Sequence, residues 1–281
     1  MVPEKAMKKF AAKYAEDVQE LLVLTAEGVR GAALWDKKLW QPSCRMLAYI
    51  DTADGTLHGG LNKPESVLQW LVGDDEKGGW RFGLRPQTIY RVKARTLKGK
   101  LAGQYFMLLE VLERVQTHPQ LDLILQAYLQ PVILTDALWP GVSFELEREF
   151  NWFNARLDWL NTSCSVSLEC DDGNPENAAQ ALAAFKNFYA SLAVWDEKMR
   201  AFAAARLTQN ANDWQEDCAD DENPAPITEA DFARRITISE FNMDSDGNFT
   251  AYYDDDEMFF CHSVLVEGNI DGTLTDSYLA G

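Results

Sequence analysis

The chain has 281 residues, 47% of them hydrophobic and 25% charged, which is enough apolar material for a packed core and argues against a disordered tail. Its net charge of −18 is unevenly placed: residues 1–150 carry 19 acidic and 19 basic side chains, while residues 151–281 carry 25 and 7. No apolar run approaches the roughly 18 residues of a membrane span, no apolar segment follows Lys5, Lys8 and Lys9, and the five cysteines are scattered without a C-x-x-C spacing.

These features predict two units with different surfaces, no membrane association, and a reducing cytoplasm in which Cys44, Cys164, Cys170, Cys218 and Cys261 stay unpaired. Taken in order, residues 3–26 predict a helix, because Met7, Phe10, Tyr14, Val18, Leu21 and Leu22 recur at three- and four-residue steps. From 29 to 117 the pattern changes to β-rich runs: Arg45–Asp51, Thr56–Leu61, Ser66–Val72, Thr88–Leu97 and Tyr105–Val115, with Asp54-Gly55 as a hairpin turn. Pro119 opens a short helix and Pro131 ends it. Strands follow at Val132–Leu134, Val142–Glu149, Trp152–Trp159 and Ser163–Cys170.

Asp171 to Pro175 breaks the strands, and residues 176–210 predict one or two Ala-rich helices. Asp213–Asn223 reads as an acidic loop, and Thr228 with Asp231 as a helix N-terminus. Strands return at Ile236–Met243, Phe249–Tyr253, Met258–Val266 and Thr273–Ala280.

Residues 81–100 hold seven basic side chains and no acid. Alternation along a strand would put Arg91, Lys93 and Arg95 on one face and Tyr90, Val92 and Ala94 on the other. Small barrels hold single strands of nucleic acid on such surfaces. The zero charge sum of the first 150 residues favours a solvated face instead, so nucleic acid is an unlikely partner on this reading.

The second half offers acids: a run from Asp213 to Glu222, and Asp254, Asp255, Asp256 and Glu257 together. Asp244-Ser245-Asp246-Gly247-Asn248 alternates oxygen ligands, but a calcium loop counted from Asp244 needs Gly and Glu where Phe249 and Asp255 stand, so a strand-joining turn explains it and no metal is expected. His262 with Asp255, or another acid of 254–257, is the candidate acid–base pair. No Gly-rich phosphate loop, nucleophile elbow or H-E-x-x-H occurs, and no cofactor is expected.

Phe150, Trp152 and Trp159, then Trp195-Asp196, Trp214, Thr228 to Phe232, and Tyr252 to Asp256 leading through Phe259 to His262, form an ordered series of landmarks. Over about 145–281 it resembles an uncharacterised bacterial family, domain of unknown function 2262, and the first half resembles the β-rich segment that often precedes it. The resemblance implies a bacterial source and a C-terminal α+β unit, and it transfers no catalytic residue. Where the family pattern leads one to expect Gly before the histidine, Cys261 stands.

The expected fold is α+β with mostly antiparallel sheets. It comprises an N-terminal helix and small β-domain over 1–140, then an acidic unit over 141–281 whose sheet is covered by a helical pair. The expected function is a protein-interaction module whose acidic second half binds a basic protein. The alternative is a metal-dependent or acid–base enzyme built on 254–262.

Overall fold

A computed structural model of the chain describes residues 2–36, 38–61, 66–148, 150–170, 175–218, 225–260 and 262–281. It divides into Met1–Gln130 and Pro131–Gly281. The first holds 15 acidic and 18 basic residues, the second 29 and 8.

The first unit runs α1 (Glu4–Ala11), β1 (Gln19–Thr25), β2 (Arg30–Asp36), β3 (Leu39–Asp51), β4 (Leu57–Gly59), β5 (Ser66–Gln69), β6 (Val72–Gly73), β7 (Ile89–Thr96), β8 (Tyr105–Val115) and α2 (Pro119–Tyr128). The helix expected over 3–26 therefore ends at Ala11, and Leu21 to Leu24 form a strand. β1 is apolar on both faces, since Leu21 and Val23 enter the barrel core while Leu24 packs outside with Leu121 of α2. A short run buried on both sides loses its period of two and can pass for a helix.

β1 pairs with both β3 and β7, β7 with β8, β8 with β5 in parallel, and β5 with β3, so five strands close into a ring. Numbered along the chain, the ring strands are ordered first, second, third, fifth, fourth, with the third and fifth parallel. That is the Greek-key topology of an OB-type barrel. Cys44, Met46, Leu68, Trp70, Val92 and Phe106 fill it. Outside, Phe10 of α1 and Tyr14 bury Leu71 and Met107.

The second unit runs β9 (Ile133–Leu134), β10 (Phe144–Glu147), β11 (Trp152–Trp159), β12 (Thr162–Glu169), α3 (Pro175–Tyr189), α4 (Leu192–Cys218), α5 (Glu229–Arg235), β13 (Thr237–Met243), β14 (Asn248–Asp254), β15 (Ser263–Asn269) and β16 (Leu274–Ala280). The eight strands lie in one sheet in chain order. Only β12 and β13 are parallel, because α3 to α5 form the crossover that two parallel neighbours require. Helices consequently cover one face. Met199, Ala203, Leu207 and Ala211 make a buried stripe at four-residue steps along α4, while Phe185 and Phe188 of α3 meet Phe241 and Trp159.

α4 continues to Cys218, through the first part of the stretch expected to be a loop. Asp220, Asp221, Glu222, the break at Asp171 to Asn174, and Cys261 lie outside the described residues.

Candidate functional site

On β7, Tyr90, Val92 and Ala94 point inward, and Arg91, Lys93 and Arg95 outward, as alternation requires. The charge of Arg91 and Lys93 is met by neighbouring strands: Arg91 lies 3.0 Å from Glu113 of β8 and 3.4 Å from Glu20 of β1, and Lys93 lies 2.9 Å from Glu110 of β8, whereas Arg95 Nε is buried without a hydrogen-bond partner. The bond to Glu110, and then its charge, raises the Lys93 pKa. The more open cations stand in the connections, Lys38 before β3 and Lys98 and Lys100 between β7 and β8. Lys98 also donates to the Ala12 carbonyl just past α1, 3.1 Å away.

After β14, Asp256, Glu257 and Phe260 all take positive φ in a turn over residues 255–260, and β15 begins only at Ser263, so the strand expected from Met258 starts five residues late. Asp255 is buried because its carboxylate organises this turn, accepting from the Glu257 and Phe259 backbone N–H groups. Asp256 accepts from Arg235 at 2.7 Å, while Asp254 and Glu257 are exposed. His262 Nδ1 lies 2.6 Å from the Phe259 carbonyl oxygen, so it carries the proton and donates, and the ring packs edge-on to Trp214. Asp255 and His262 thus each bond to backbone.

Asp244 makes an Asx turn, accepting from the Asp246 and Asn248 N–H groups and from Asn248 Nδ2. Among the described residues, no three His, Cys, Asp or Glu side chains converge closely enough to hold a metal ion.

A third surface escaped sequence reasoning. Opposite the helices, the outward positions of β10 to β15 carry Glu145, Glu147, Asp158, Glu169, Glu240, Asp254 and Glu267 against one cation, Arg156, with Ser, Asn, Thr and Tyr between them. Register aligns Ser167, Asn242, Thr250 and Glu267 in one row across β12 to β15. A concavity of about 300 Å³ opens there, lined by Glu169, Asn242, Thr250, Glu267, Asn269 and others. Asn242 is only 9% exposed and its Oδ1 has no hydrogen-bond partner. Burial, then the charges of Glu240, Glu267 and Glu169, raise the pKa of the adjacent Tyr252 phenol, against a bond from Asn242 that lowers it. Alternating polar residues in each strand could have signalled this face. The row that joins them depends on the parallel β12/β13 pairing, which no local pattern encodes.

A family described as an uncharacterized protein conserved in bacteria (DUF2262) matches residues 142–279. The second half belongs to that family. Residues 6–128 match a domain of unknown function, DUF7021, so the barrel and the DUF2262 sheet each correspond to one family. No curated protein matches the chain. One solved structure, a deletion mutant of the single-stranded DNA binding protein from Thermus aquaticus, is similar over 56% of this chain and 76% of that one, at 11% identity and a TM-score of 0.20.

At that score the likeness carries no argument for what this chain binds. The expectation of a basic protein partner with nucleic acid unlikely is corrected on the barrel itself, whose five-strand ring has the OB-type order and carries Lys38, Lys98 and Lys100 in its connections. The expectation relied on a charge sum over 150 residues, whereas a ligand feels cations within about a Debye length, roughly 10 Å at 0.1 M salt. Among the described residues no helix is long and apolar enough to cross a membrane.

Proposed function

We propose that this is a binding protein whose DUF2262 sheet holds a positively charged ligand on its uncovered face. The observation that carries the reading is the composition of that face: seven carboxylates and one cation at outward positions of six adjoining strands. A one-signed field over an open surface raises the local concentration of counter-charged ligands and makes their capture sensitive to salt. Against catalysis by 254–262 stands the use of Asp255 and His262 within their own turn.

The test is fluorescence anisotropy with a labelled octalysine probe at 20 and 300 mM NaCl. Binding is expected to weaken by tenfold or more between the two salts. It is expected to weaken again when Glu145, Glu147 and Glu240 are all replaced by Gln. Equal affinity at both salts, or in the triple variant, refutes the reading.

A second reading is favoured by the ring order of the first unit together with Lys38, Lys98 and Lys100 in connections that, in OB-type barrels, rim the ligand face. On this reading the barrel holds single-stranded nucleic acid by its phosphates. A labelled oligothymidylate would bind at low salt and lose affinity in a Lys98→Glu, Lys100→Glu variant; no binding at 20 mM NaCl sinks it.

A further inference from the structure

A groove of about 430 Å³ lies between α2 and the barrel, where β7 begins and β8 ends. Its apolar lining is Ile89, Val115 and Leu125, which pack together with the fully buried Leu121 of α2. Its polar lining includes Gln87, Arg114, Gln116 and Asp122. The volume is on the scale of a small-molecule site, about 300–1,000 Å³, and not of a macromolecular interface.

One wall of the groove is fixed from beneath. The buried Thr25 hydroxyl accepts from the Thr88 N–H at 3.0 Å and donates to the Arg85 carbonyl at 2.7 Å, and Thr88 Oγ1 donates to the Pro86 carbonyl at 2.8 Å. Gln87, held between these bonds, has φ +51°, a conformation that residues with a Cβ rarely take. Such strain persists only where the surroundings over-determine the backbone, and it gathers at ligand clamps.

Arg114 and Asp122 bring opposite charges to this groove without pairing with each other. The Arg114 guanidinium makes no hydrogen bond or ion pair among the described residues, unlike Arg91 and Lys93 on the same two strands. Asp122 Oδ2 accepts from the His118 N–H at 2.9 Å, which fixes the carboxylate at the start of α2 and leaves Oδ1 without a partner. The amides of Gln87 and Gln116 can donate or accept and so do not select the sign of a ligand. The two charged groups do. An anion alone would meet the Asp122 carboxylate, a cation alone would meet Arg114, and a ligand with one charge of each sign satisfies both.

We infer that this groove binds a free α-amino acid with an apolar side chain, its carboxylate on Arg114, its ammonium on Asp122 Oδ1 and its side chain over Ile89, Val115 and Leu125. The inference goes beyond both readings of the preceding subsection, since it uses neither the acidic sheet face nor Lys38, Lys98 or Lys100.

Isothermal titration of the full chain at 20 mM NaCl would compare leucine with three compounds that each lack one element: 4-methylpentanoate the ammonium, 3-methylbutylamine the carboxylate, and glycine the apolar side chain. Leucine is expected to bind saturably, one to one, and each of the others at least about fivefold more weakly. Arg114→Gln is expected to abolish the advantage of leucine over 3-methylbutylamine and to keep its advantage over 4-methylpentanoate. Asp122→Asn, which retains an acceptor for the His118 N–H, is expected to do the reverse.

Arg114 is exposed, so its variant keeps the test decisive if the Asp122 variant fails to fold. No saturable leucine binding up to about 10 mM, equal binding of leucine and any of the three compounds, or both advantages surviving in a folded variant overturns the inference. Because octalysine and oligothymidylate probe other surfaces, each of these results leaves the two earlier readings standing.

Discussion

Replacing Asp196 with Ala should unfasten the DUF2262 unit from within. Asp196 is buried near the start of α4, where it accepts from Trp159 Nε1 at 3.0 Å and from Arg200 Nε at 2.6 Å. Arg200 in turn donates to the carbonyls of Ala233, at 3.1 Å, and Ile236, and lies over the Tyr253 ring, so this one pair ties β11, α4, α5 and β14 together. Removing the carboxylate leaves a partly buried guanidinium, 21% exposed, without counter-charge and a buried indole N–H without an acceptor. Breaking a buried pair in this way costs about 3–5 kcal/mol. At roughly 2–4 °C per kcal/mol for a unit of this size, melting should fall by about 6–20 °C. Hydrogen exchange of the β11 to β14 amides reports on this unit by itself, and Asp196→Asn, which keeps an acceptor for Trp159, should lose less, about 1–3 kcal/mol. A loss below about 1 kcal/mol in the Ala variant would show that the pair does not hold these elements together.

Gly59 has φ +89°, and a Cβ there would stand 2.6 Å from the Leu47 carbonyl oxygen and 2.9 Å from the Ala48 Cα, both backbone atoms that cannot rotate away. Gly59→Ala should destabilise the barrel by at least about 2 kcal/mol in urea unfolding. Thr228 Oγ accepts from the Asp231 N–H at 3.1 Å, and Thr228→Ala should cost about 1 kcal/mol by the same assay while Thr228→Ser costs little. Burial pushes the Cys44 and Cys164 thiols and the Tyr14 phenol up to about 12. The fold therefore keeps these groups protonated where the unfolded chain ionises from about pH 8.5 for Cys and about pH 10 for Tyr. Their contribution is complete below about pH 8.5 and is lost as pH rises towards 12, which melts between pH 8 and 11 should show as a falling midpoint that flattens in a Cys164→Ala variant.

Strands were legible where one face is apolar and the other polar, as at Trp152–Trp159, where Phe153, Ala155, Leu157 and Trp159 are buried in alternation. Legibility failed where a strand is buried on both sides, as at Leu21 to Leu24. It failed again where a turn is stabilised from within, as at 255–260, whose apolar Met258 and Phe259 imitate a strand while the Asp255 carboxylate holds the backbone in a tight coil. The acidic character of the second half was visible, but runs of acids drew attention to 254–257, where burial and the Arg235 bond occupy Asp255 and Asp256. The carboxylates that share a face are isolated in sequence and meet only through strand register.

That isolation also governs how the sheet tolerates its charge. Glu145 stands opposite Asn154, Glu169 opposite Trp152, Glu240 opposite Ser165 and Tyr252, and Asp254 opposite Thr237 and Ser263. Glu267 does face Asp276, but Arg206 neutralises Asp276 at 2.6 Å. Like charges placed directly across a ladder destabilise it, and here neutral residues or a salt bridge separate them. The residual repulsion is then a longer-range sum, the kind that salt screens, with a Debye length falling from about 30 Å at 0.01 M to about 10 Å at 0.1 M. Two opposite responses should come from the same side chains. Raising NaCl from 10 to 300 mM should raise the melting temperature of the DUF2262 unit by relieving self-repulsion, while weakening capture of the octalysine probe by competing for the same field. Replacing Glu145, Glu147 and Glu240 by Gln should flatten both trends together. If the two salt responses keep the same sign, or if the triple variant changes one and not the other, the carboxylates of this face are not the common origin of both.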